Sequence, residues 1–239
     1  MKDVFIADAH LRSPDDANYR RLLDFFAAQQ GQIRTLILLG DIFEFWTGFR
    51  HVVYTPYVPI LDALRRLHAS GTGIVYVEGN HDFHLGPYFR EVLGCRVFAD
   101  GGEIDLEGMQ IHVAHGDLID DADRGYRLLR KLLRSRLLHL LMRLAPPDLT
   151  WAIAAWAGRQ SQKRRAGRPA RRVPREMLLH YARRHFARGA AAVVTGHFHE
   201  PLLQREDDGT LIALGDWISQ YSYAVLENGS FTLHTFDRD

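Results

Sequence analysis

The chain has 239 residues, a hydrophobic share of 46% and a charged share of 25%, which fits one globular domain with or without an inserted cap. Its single cysteine, Cys95, excludes an internal disulfide, and without a long apolar segment we expect neither a secretory leader nor a transmembrane helix. The net charge of +1 hides a division, because residues 124–188 hold 18 of the 30 Lys and Arg and only two acidic residues, a net of +16.

Short apolar runs and amphipathic stretches alternate through the first third of the chain. Apolar runs with β-branched residues predict strands at residues 4–7, 36–39 and 74–77, and helical periodicity predicts helices at residues 16–30 and 59–69. This alternation predicts an α/β fold with a largely parallel sheet and helices on its faces.

Further strands are predicted on both sides of the basic segment. They lie at residues 103–106, 111–115, 191–195, 202–205, 210–214, 222–226 and 230–236. The change of pattern and the change of charge predict a body formed by residues 1–123 and 189–239. Residues 124–188 are predicted to be inserted in this body as a basic helical cap.

The cap segment carries a helical pattern. Residues 126–145 place leucines opposite arginines, and Pro146 and Pro147 are expected to end that helix. Asp148 is expected to cap the next helix, and residues 159–175 are predicted to be a basic connection that contains Gly and Pro. Because the rest of the chain carries a net charge of −15, the cap is the part expected to attract anions.

Polar side chains that can bind metal ions follow five of the predicted strands. They are Asp8 and His10, then Asp41, then Asn80 with His81 and Asp82, then His115 with Asp117, and finally His197 with His199. Ligands of α/β sheets bind outside the carboxyl ends of the strands, so these five clusters are predicted to converge on one site. Glycines at positions 40, 79, 116 and 196 would let the backbone turn sharply under bound ions.

The residue types in these clusters match a centre of two divalent ions. Two neighbouring ions need a bridging carboxylate, and imidazole, amide and carboxylate ligands suit Mn, Fe or Zn. Such a pair of ions can drive hydrolysis of a phosphate ester or a phosphate anhydride. The alternative is a structural His/Asp hydrogen-bond network, which the repeated placement of the clusters after strands disfavours.

The five clusters resemble the calcineurin-like metallophosphoesterase family, whose motifs run D-x-H, G-D, G-N-H-D, H and G-H-x-H. The resemblance extends from Asp8 to His199 and implies a four-layer α/β/β/α sandwich that holds two divalent metal ions. It implies one ion held by Asp8, His10 and His199, a second held by Asn80, His115 and His197, and a bridge between them formed by Asp41.

The same resemblance gives His81 a role beside the reacting phosphate, as general acid or oxyanion stabiliser. Asp82 can orient the His81 ring through its second nitrogen. The remaining histidines lie outside the pattern and are expected at the surface or in ordinary packing. They are His51, His68, His84, His112, His139, His180, His185 and His234.

Within that family the sequence is similar to the UDP-2,3-diacylglucosamine diphosphatases, lipid A pathway enzymes that release UMP and a lipid monophosphate. The similarity is carried by residues 40–46, 79–83, 115–117, 123–126 and 214–217 and by the helical cap. It implies substrate contacts at Asn80, His81, Asp123, Ser161, Arg165, Arg168 and His197. We expect Mn²⁺ as the metal, with Fe and Zn as alternatives.

Three positions depart from that similarity. His81 stands where the best-known members have Arg, and Arg165 and Arg168 stand where Asn and Lys are expected. A pyrophosphate leaves as a phosphate monoester with a second pKa of about 6, so an Arg suffices there, whereas a His also permits alkoxide leaving groups. The alternative enzyme is therefore a phosphodiesterase or nucleotidase with a soluble substrate. The non-enzymatic alternative is a binding scaffold without turnover.

The leucines and arginines of the cap suit an acyl chain, an anionic membrane face or both. We therefore expect a phosphorylated lipid or nucleotide-sugar partner, and a cytoplasmic protein that can lie peripherally on the inner membrane. The alternative is a solvated helix whose leucines pack on the body. Nucleic acid is not expected, because the basic run at residues 163–172 lacks interleaved aromatic residues for stacking bases.

Overall fold

The computed structural model describes residues 1–165 and 174–237, and the strands of these residues form two mixed β-sheets. The strands are β1 (Lys2–Ile6), β2 (Ile33–Leu38), β3 (Gly73–Val77), β4 (Arg96–Phe98), β5 (Gly102–Leu106), β6 (Met109–Ala114), β7 (Ala192–Thr195), β8 (Leu202–Glu206), β9 (Gly209–Ala213), β10 (Ser222–Glu227) and β11 (Ser230–Thr235). The first sheet has the order β11-β10-β1-β2-β3-β4 and the second has the order β5-β6-β7-β9-β8. Strands β1 to β4 are mutually parallel, as are β6, β7 and β9.

Helices connect these strands and also form the segment between β6 and β7. They are α1 (Ala17–Ala28), α2 (Val58–Ala69), α3 (Arg124–Leu133), α4 (Arg136–Leu144), α5 (Pro147–Arg165) and α6 (Arg175–Phe186). A 3₁₀ turn at Thr55–Tyr57 precedes α2, and a π-helical turn at Tyr88–Val92 precedes β4.

The alternation of side chains along the strands builds three apolar layers. In β1, Phe5 packs between the two sheets, whereas Val4 and Ile6 pack with α1 and α2 on the outer face of the first sheet. On the outer face of the second sheet, α6 packs through residues that include Leu178 and Phe186. The layers therefore run helix, sheet, sheet, helix, which confirms the predicted four-layer α/β/β/α sandwich.

Two elements differ from the pattern that the sequence predicts. Strand β4 was not predicted, because Arg96–Phe98 is too short to show a period. The single helix predicted at residues 126–145 is two helices, α3 and α4. Ser135 separates them and caps α4, since its hydroxyl accepts a hydrogen bond of 3.2 Å from the Leu138 N–H.

The end of the predicted cap also differs from the sequence pattern. Helix α5 begins at Pro147, so Asp148 lies in its first turn instead of capping it, and the helix continues to Arg165. Helix α6 falls inside residues 124–188 but packs on the second sheet as the outer layer of the sandwich. Within the predicted cap, α3, α4 and α5 are therefore the helices that do not form this layer.

Candidate metal centre

The predicted metal ligands lie on loops that leave the carboxyl ends of five strands. Strand β1 leads to Asp8 and His10, β2 to Asp41, β3 to Asn80, β6 to His115, and β7 to His197 and His199. Five of these residues have positive φ angles, namely Asp8 (54°), His10 (45°), Asp41 (54°), His197 (72°) and His199 (56°). Residues other than glycine rarely adopt this backbone conformation. Five such residues close together are typical of a functional site that the surrounding fold holds in place.

The glycines beside these ligands fit the loops together in two different ways. Gly40 and Gly116 have φ angles of 82° and 117°, which glycine adopts without strain. Gly79 has no positive φ, but a Cβ at this position would lie 2.2 Å from Asp41 Oδ1. A Cβ at Gly196 would lie 2.7 Å from a carboxylate oxygen of the neighbouring loop. At positions 79 and 196, close approach of the loops therefore requires glycine.

A first group of ligand atoms gathers around Asp8. His199 Nε2 lies 3.3 Å from Asp8 Oδ1, and His10 Nε2 lies 4.0 Å from the same oxygen. His10 Nε2 also lies 3.6 Å from Asp41 Oδ2. These separations suit side chains that share one ion, because each ligand atom would lie about 2 Å from it.

A second group gathers around His115 on the neighbouring loops. His115 Nε2 lies 3.2 Å from Asn80 Oδ1 and 3.3 Å from His197 Nδ1. The same nitrogen lies 3.5 Å from Asp41 Oδ2. Two imidazoles, an amide oxygen and a carboxylate oxygen are a set of donors that suits Mn, Fe or Zn.

Asp41 stands between the two groups. Its Oδ1 accepts hydrogen bonds from the backbone N–H groups of Asn80 (2.8 Å) and His81 (2.9 Å), which hold the carboxylate in place. Its Oδ2 faces His10 on one side and His115 on the other. One carboxylate oxygen thus has the position that a bridge between two ions requires.

Opposite charges offset the cost of burial at this centre. Burial acts to raise the pKa of Asp41 and to lower that of His115, but their mutual attraction holds the first pKa well below and the second well above the ordinary value. Burial also acts to lower the pKa of His199, yet Asp216 and Asp8 raise it to about 10. The buried carboxylates therefore require positive charge beside them, which a divalent cation supplies.

Two further observations fit a divalent metal. Asp8 Oδ1 is buried and accepts no well-aligned hydrogen bond within the described part of the chain. A buried carboxylate oxygen in that condition is costly unless a cation lies beside it. Burial, reinforced by the nearby His115, lowers the pKa of His197 to about 4, so this imidazole is in the neutral form that binds metals.

Acceptors on the far side of the imidazoles orient three of the rings. His115 Nδ1 donates to the Leu39 carbonyl at 2.7 Å, His10 Nδ1 lies 3.4 Å from Glu44 Oε2, and His199 Nδ1 lies 3.7 Å from Asp216 Oδ2. Such partners leave Nε2 as the nitrogen that faces an ion. No role was predicted for Glu44 or Asp216, although Asp216 follows β9 at a strand end like the predicted ligands.

His81 lies against the first group of ligands. Its Nδ1 donates to the backbone carbonyl of Glu44 at 2.9 Å. Its ring meets the His10 ring edge-on, with the ring centroids 4.7 Å apart. Because the Glu44 carbonyl occupies Nδ1, Nε2 is the nitrogen that remains to meet a substrate.

Asp82 is buried among other partners. Its carboxylate accepts hydrogen bonds from the Tyr76 hydroxyl and from the backbone N–H groups of Asp41, Ile42, Phe43 and Gly79. The prediction that Asp82 orients the His81 ring is therefore wrong. Burial and the neighbouring Asp41 raise the pKa of Asp82 to about 7, and its contacts tie the loop after β2 to the loop after β3.

Helix α3 is attached to the same loops by buried charges. Arg130 Nε lies 2.8 Å from Asp117 Oδ2, and the Tyr126 hydroxyl donates to the same oxygen. Arg134 Nη1 lies 2.7 Å from Glu78 Oε2, and Arg134 Nη2 donates to the Gly79 carbonyl at 3.2 Å. Since Asp117 and Glu78 lie two residues from predicted ligands, α3 is fixed beside the metal centre.

The substrate contacts predicted in the cap have different positions. Asp123 caps α3, because its Oδ1 accepts a hydrogen bond of 2.9 Å from the Tyr126 N–H. The backbone of α5 carries Ser161 and Arg165, and Arg168 lies outside the described residues.

Helices α3 and α4 of the predicted cap present apolar side chains to solvent. Exposed leucines on α3 and α4 are Leu128, Leu129, Leu132, Leu137, Leu140, Leu141 and Leu144. Between α5 and the loop after β2, a cavity of about 220 Å³ is lined by Phe45, Tyr57 and Trp151 and reaches Glu44 at the metal centre. No helix in the described ranges combines the length and the apolar character that crossing a bilayer requires.

Known proteins resemble the chain over most of its length. A model of the calcineurin-like phosphoesterase family matches residues 1–201. A UDP-2,3-diacylglucosamine hydrolase of Pseudomonas putida is 29% identical, with 98% of each chain covered, and one of Neisseria meningitidis serogroup B is 30% identical, with 94% and 93% covered. Among solved structures, an archaeal phosphodiesterase has a TM-score of 0.51 at 13% identity, covers 99% of this chain and 100% of its own, and supports the fold alone.

Proposed function

The chain belongs to the calcineurin-like phosphoesterase family, and from this premise we propose that it is a two-metal hydrolase of UDP-2,3-diacylglucosamine. The proposed reaction cleaves the pyrophosphate of the substrate and releases UMP and a lipid monophosphate. The observation that carries the chemistry is the position of Asp41 Oδ2 between His10 and His115. The proposed substrate is supported by the two relatives named UDP-2,3-diacylglucosamine hydrolase, which cover 98% and 94% of this chain.

Two divalent ions fit the centre, and we propose Mn²⁺, with Fe and Zn as alternatives that share these ligands. The first ion would be held by Asp8, His10, Asp41 and His199, and the second by Asp41, Asn80, His115 and His197. When bound, the ions neutralise charge on the phosphate and lower the pKa of water at the centre.

The protein's own groups would complete the reaction around the phosphate. His81 would meet the phosphate through Nε2, because Nδ1 donates to the Glu44 carbonyl. The leaving phosphate monoester has a second pKa of about 6 and needs little help from an acid, so His81 would act mainly on the charge of the phosphate. Asn80 and His197, on the neighbouring loops, would contact the same group.

The cap would supply the affinity for an amphiphilic anion. Its α3 carries exposed leucines such as Leu128 and Leu132, and its arginines include Arg130 and Arg134, whose charges are paired near the centre. An acyl chain would use the leucine surface or the aromatic cavity beside Glu44. We propose that Asp123, Ser161, Arg165 and Arg168 contribute to this binding.

The leucines and arginines of the cap helices also suit association with a membrane surface. A helix with leucines on one face and arginines on the other can lie on an anionic bilayer without crossing it. We therefore propose a cytoplasmic protein that associates peripherally with the inner membrane. Nucleic acid is not proposed as a partner, because the basic run at residues 163–172 has no interleaved aromatic residues on which bases could stack.

His81 favours one second candidate, a phosphodiesterase that acts on a soluble substrate. A histidine can protonate an alkoxide leaving group, which a pyrophosphate does not require. This phosphodiesterase would use the same metal centre, but the predicted cap would bind a soluble substrate instead of a lipid.

Product analysis separates these two functions. The metal-loaded protein would be incubated with UDP-2,3-diacylglucosamine, with the same compound lacking both acyl chains, with a cyclic nucleotide and with single-stranded DNA. We expect UMP and a lipid monophosphate from the acylated compound, at a kcat/KM well above that of its deacylated counterpart. Turnover of the cyclic nucleotide or DNA without turnover of the UDP-lipid would contradict the proposed substrate and leave the phosphodiesterase.

A further inference from the structure

A second cluster of metal-binding side chains lies on the outer face of the second sheet. It consists of Glu103 on β5, His112 on β6 and His185 near the end of α6. One ligand atom from each residue lies within 4.8 Å of the other two. The sequence suggested only surface or packing roles for these histidines.

The three side chains meet around one carboxylate oxygen. Glu103 Oε1 lies 2.6 Å from His112 Nδ1 and 3.6 Å from His185 Nδ1. The two imidazole rings are stacked, with centroids 3.5 Å apart and planes inclined by 21°. The Nδ1 atoms of both rings therefore face Glu103 Oε1. The 3.6 Å distance from His185 is too great for a strong hydrogen bond.

Tyr181 orients His112 from the side opposite to the carboxylate. Its hydroxyl lies 2.8 Å from His112 Nε2. Because the Glu103 carboxylate can only accept, Nδ1 donates to it at 2.6 Å and Nε2 accepts from the Tyr181 hydroxyl. A cation beside Glu103 would favour the other tautomer, in which Nε2 donates to the hydroxyl and Nδ1 offers its lone pair to the ion. A ligand histidine in a metal site commonly has such an outer partner, which fixes the tautomer and the ring orientation.

Both imidazoles are suited to the neutral form that metals bind. Burial lowers the pKa of His112, and burial together with the stacked His112 lowers the pKa of His185 to about 4. The carboxylate adds negative charge, and the Glu103 side chain is 45% exposed, so an ion has access from solvent.

The cluster is separate from the catalytic centre. His112 precedes the ligand His115 by three residues on an extended strand, a distance of about 10 Å. Its ring packs against Tyr181 and His185 of α6, on the outer face of the sheet. A cation at this position would therefore not replace either of the two catalytic ions.

We propose that Glu103, His112 and His185 form a third metal site, which binds a transition-metal dication and is best matched by Zn²⁺. Two imidazoles and one carboxylate are a common set of zinc ligands, and water would complete the tetrahedral geometry. Because its ligands come from two strands and a helix, a bound ion would fasten α6 to the edge of the second sheet.

Zinc stoichiometry tests the proposal on the whole chain. Metal-free protein would be dialysed against a series of free Zn²⁺ concentrations and the bound zinc per chain measured. We expect three ions for the wild type and two for His185→Ala. The matched control is His180→Ala, an exposed histidine of the same helix, which should retain three. Hydrolysis by the protein with its two catalytic sites loaded should be the same in all three proteins.

A second variant, Glu103→Gln, keeps the proposal testable if His185→Ala does not fold. Glu103→Gln alters a half-exposed side chain and should weaken binding of the third ion by at least about tenfold, the scale on which even outer partners of a metal site act. Saturation of the wild type at two ions would overturn the proposal. So would a third ion that persists with unchanged affinity in both His185→Ala and Glu103→Gln, because that ion would then lie elsewhere.

Discussion

The sandwich and the cap hold their helices by different forces. Helices α1 and α2 each bury four residues against the first sheet, whereas α3 and α4 bury none. Helix α3 is attached instead by ion pairs, Arg130 with Asp117 and Arg134 with Glu78. The sandwich is therefore stabilised by apolar packing, while the leucines of α3 and α4 stay exposed.

This difference assigns different tasks to the two regions. Packing fixes the five loops that carry the predicted metal ligands, and a catalytic centre needs that rigidity. The ion pairs of α3 join residues beside the predicted ligands, so α3 is fixed at the centre while its leucines stay exposed. Variants of the sandwich should therefore change kcat, and variants of the exposed cap surface should change KM.

The largest effect is expected at Asp41, where the sandwich would lose the bridge. Asp41→Asn keeps the shape of the side chain but removes the charge that both groups of ligands share. Turnover should fall below detection, a greater loss than the roughly 10–100-fold typical of an outer partner, and bound metal should fall below two ions per chain.

The matched control for this variant is Asp207→Asn, an exposed residue in the β8–β9 hairpin, which should leave both quantities unchanged. Near-normal turnover of Asp41→Asn with two bound ions would contradict the bridging role. The same outcome would remove the main reason for assigning the chemistry to the sandwich.

The ligand loops could be predicted from the sequence because their signal is local. A strand ends, a polar residue follows, and parallel strands bring such ends together, so Asp8, Asn80 and His197 could be placed at one site despite their separation in the chain. Glu44 could not be found in this way, because its contacts to His10 and His81 depend on how the loop after β2 folds back.

The cap was harder to predict for a physical reason. The leucine pattern continues across Ser135, so periodicity alone does not reveal the break between α3 and α4. In α6, Arg183 and Arg184 give the helix a basic character, while Leu178 and Phe186 decide its packing on the sheet. Charge alone therefore could not separate α6 from the helices that precede it.

The second prediction removes the imidazole that we propose to meet the phosphate and leaves the metals in place. His81→Ala should reduce kcat by about 10²–10⁴-fold if Nε2 acts as a general acid, while both ions remain bound. A series of substrates with increasingly acidic leaving groups would be measured, and His51→Ala, an exposed histidine, would serve as control. A loss that shrinks along the series supports proton transfer, and a constant loss supports stabilisation of phosphate charge.

A smaller effect is expected from the outer partner of His10. Glu44→Gln removes the charge that lies 3.4 Å from His10 Nδ1 and should weaken metal affinity by about 10–100-fold. Activity should return at high metal concentration, because the ligand itself is intact. The metal dependence of kcat would be compared with that of Glu91→Gln, an exposed acid. A loss that excess metal does not restore would contradict a role through His10.

The smallest effect is expected from the cap, and it tests the division of tasks most directly. Leu128 and Leu132 are 70% and 61% exposed and one turn apart on α3. Replacing both with Ser should cost little stability, because neither is buried in the protein alone. If the acyl chains cover them, each buried leucine is worth about 1.5–3 kcal/mol, so KM for the acylated UDP-sugar should rise by about tenfold or more.

The deacylated compound and a small chromogenic diester separate acyl binding from a general defect. Both should be hydrolysed by the Leu128→Ser, Leu132→Ser variant with unchanged kcat and KM, because neither reaches the leucine surface. The paired control is Val58→Ser with Val92→Ser, which alters two exposed apolar residues of the sandwich and should leave KM for the lipid unchanged. An unchanged KM for the acylated substrate in the cap variant would contradict acyl binding on α3. The cavity beside Glu44 would then be the remaining place for the chains, and Trp151→Ala would be expected to raise the same KM.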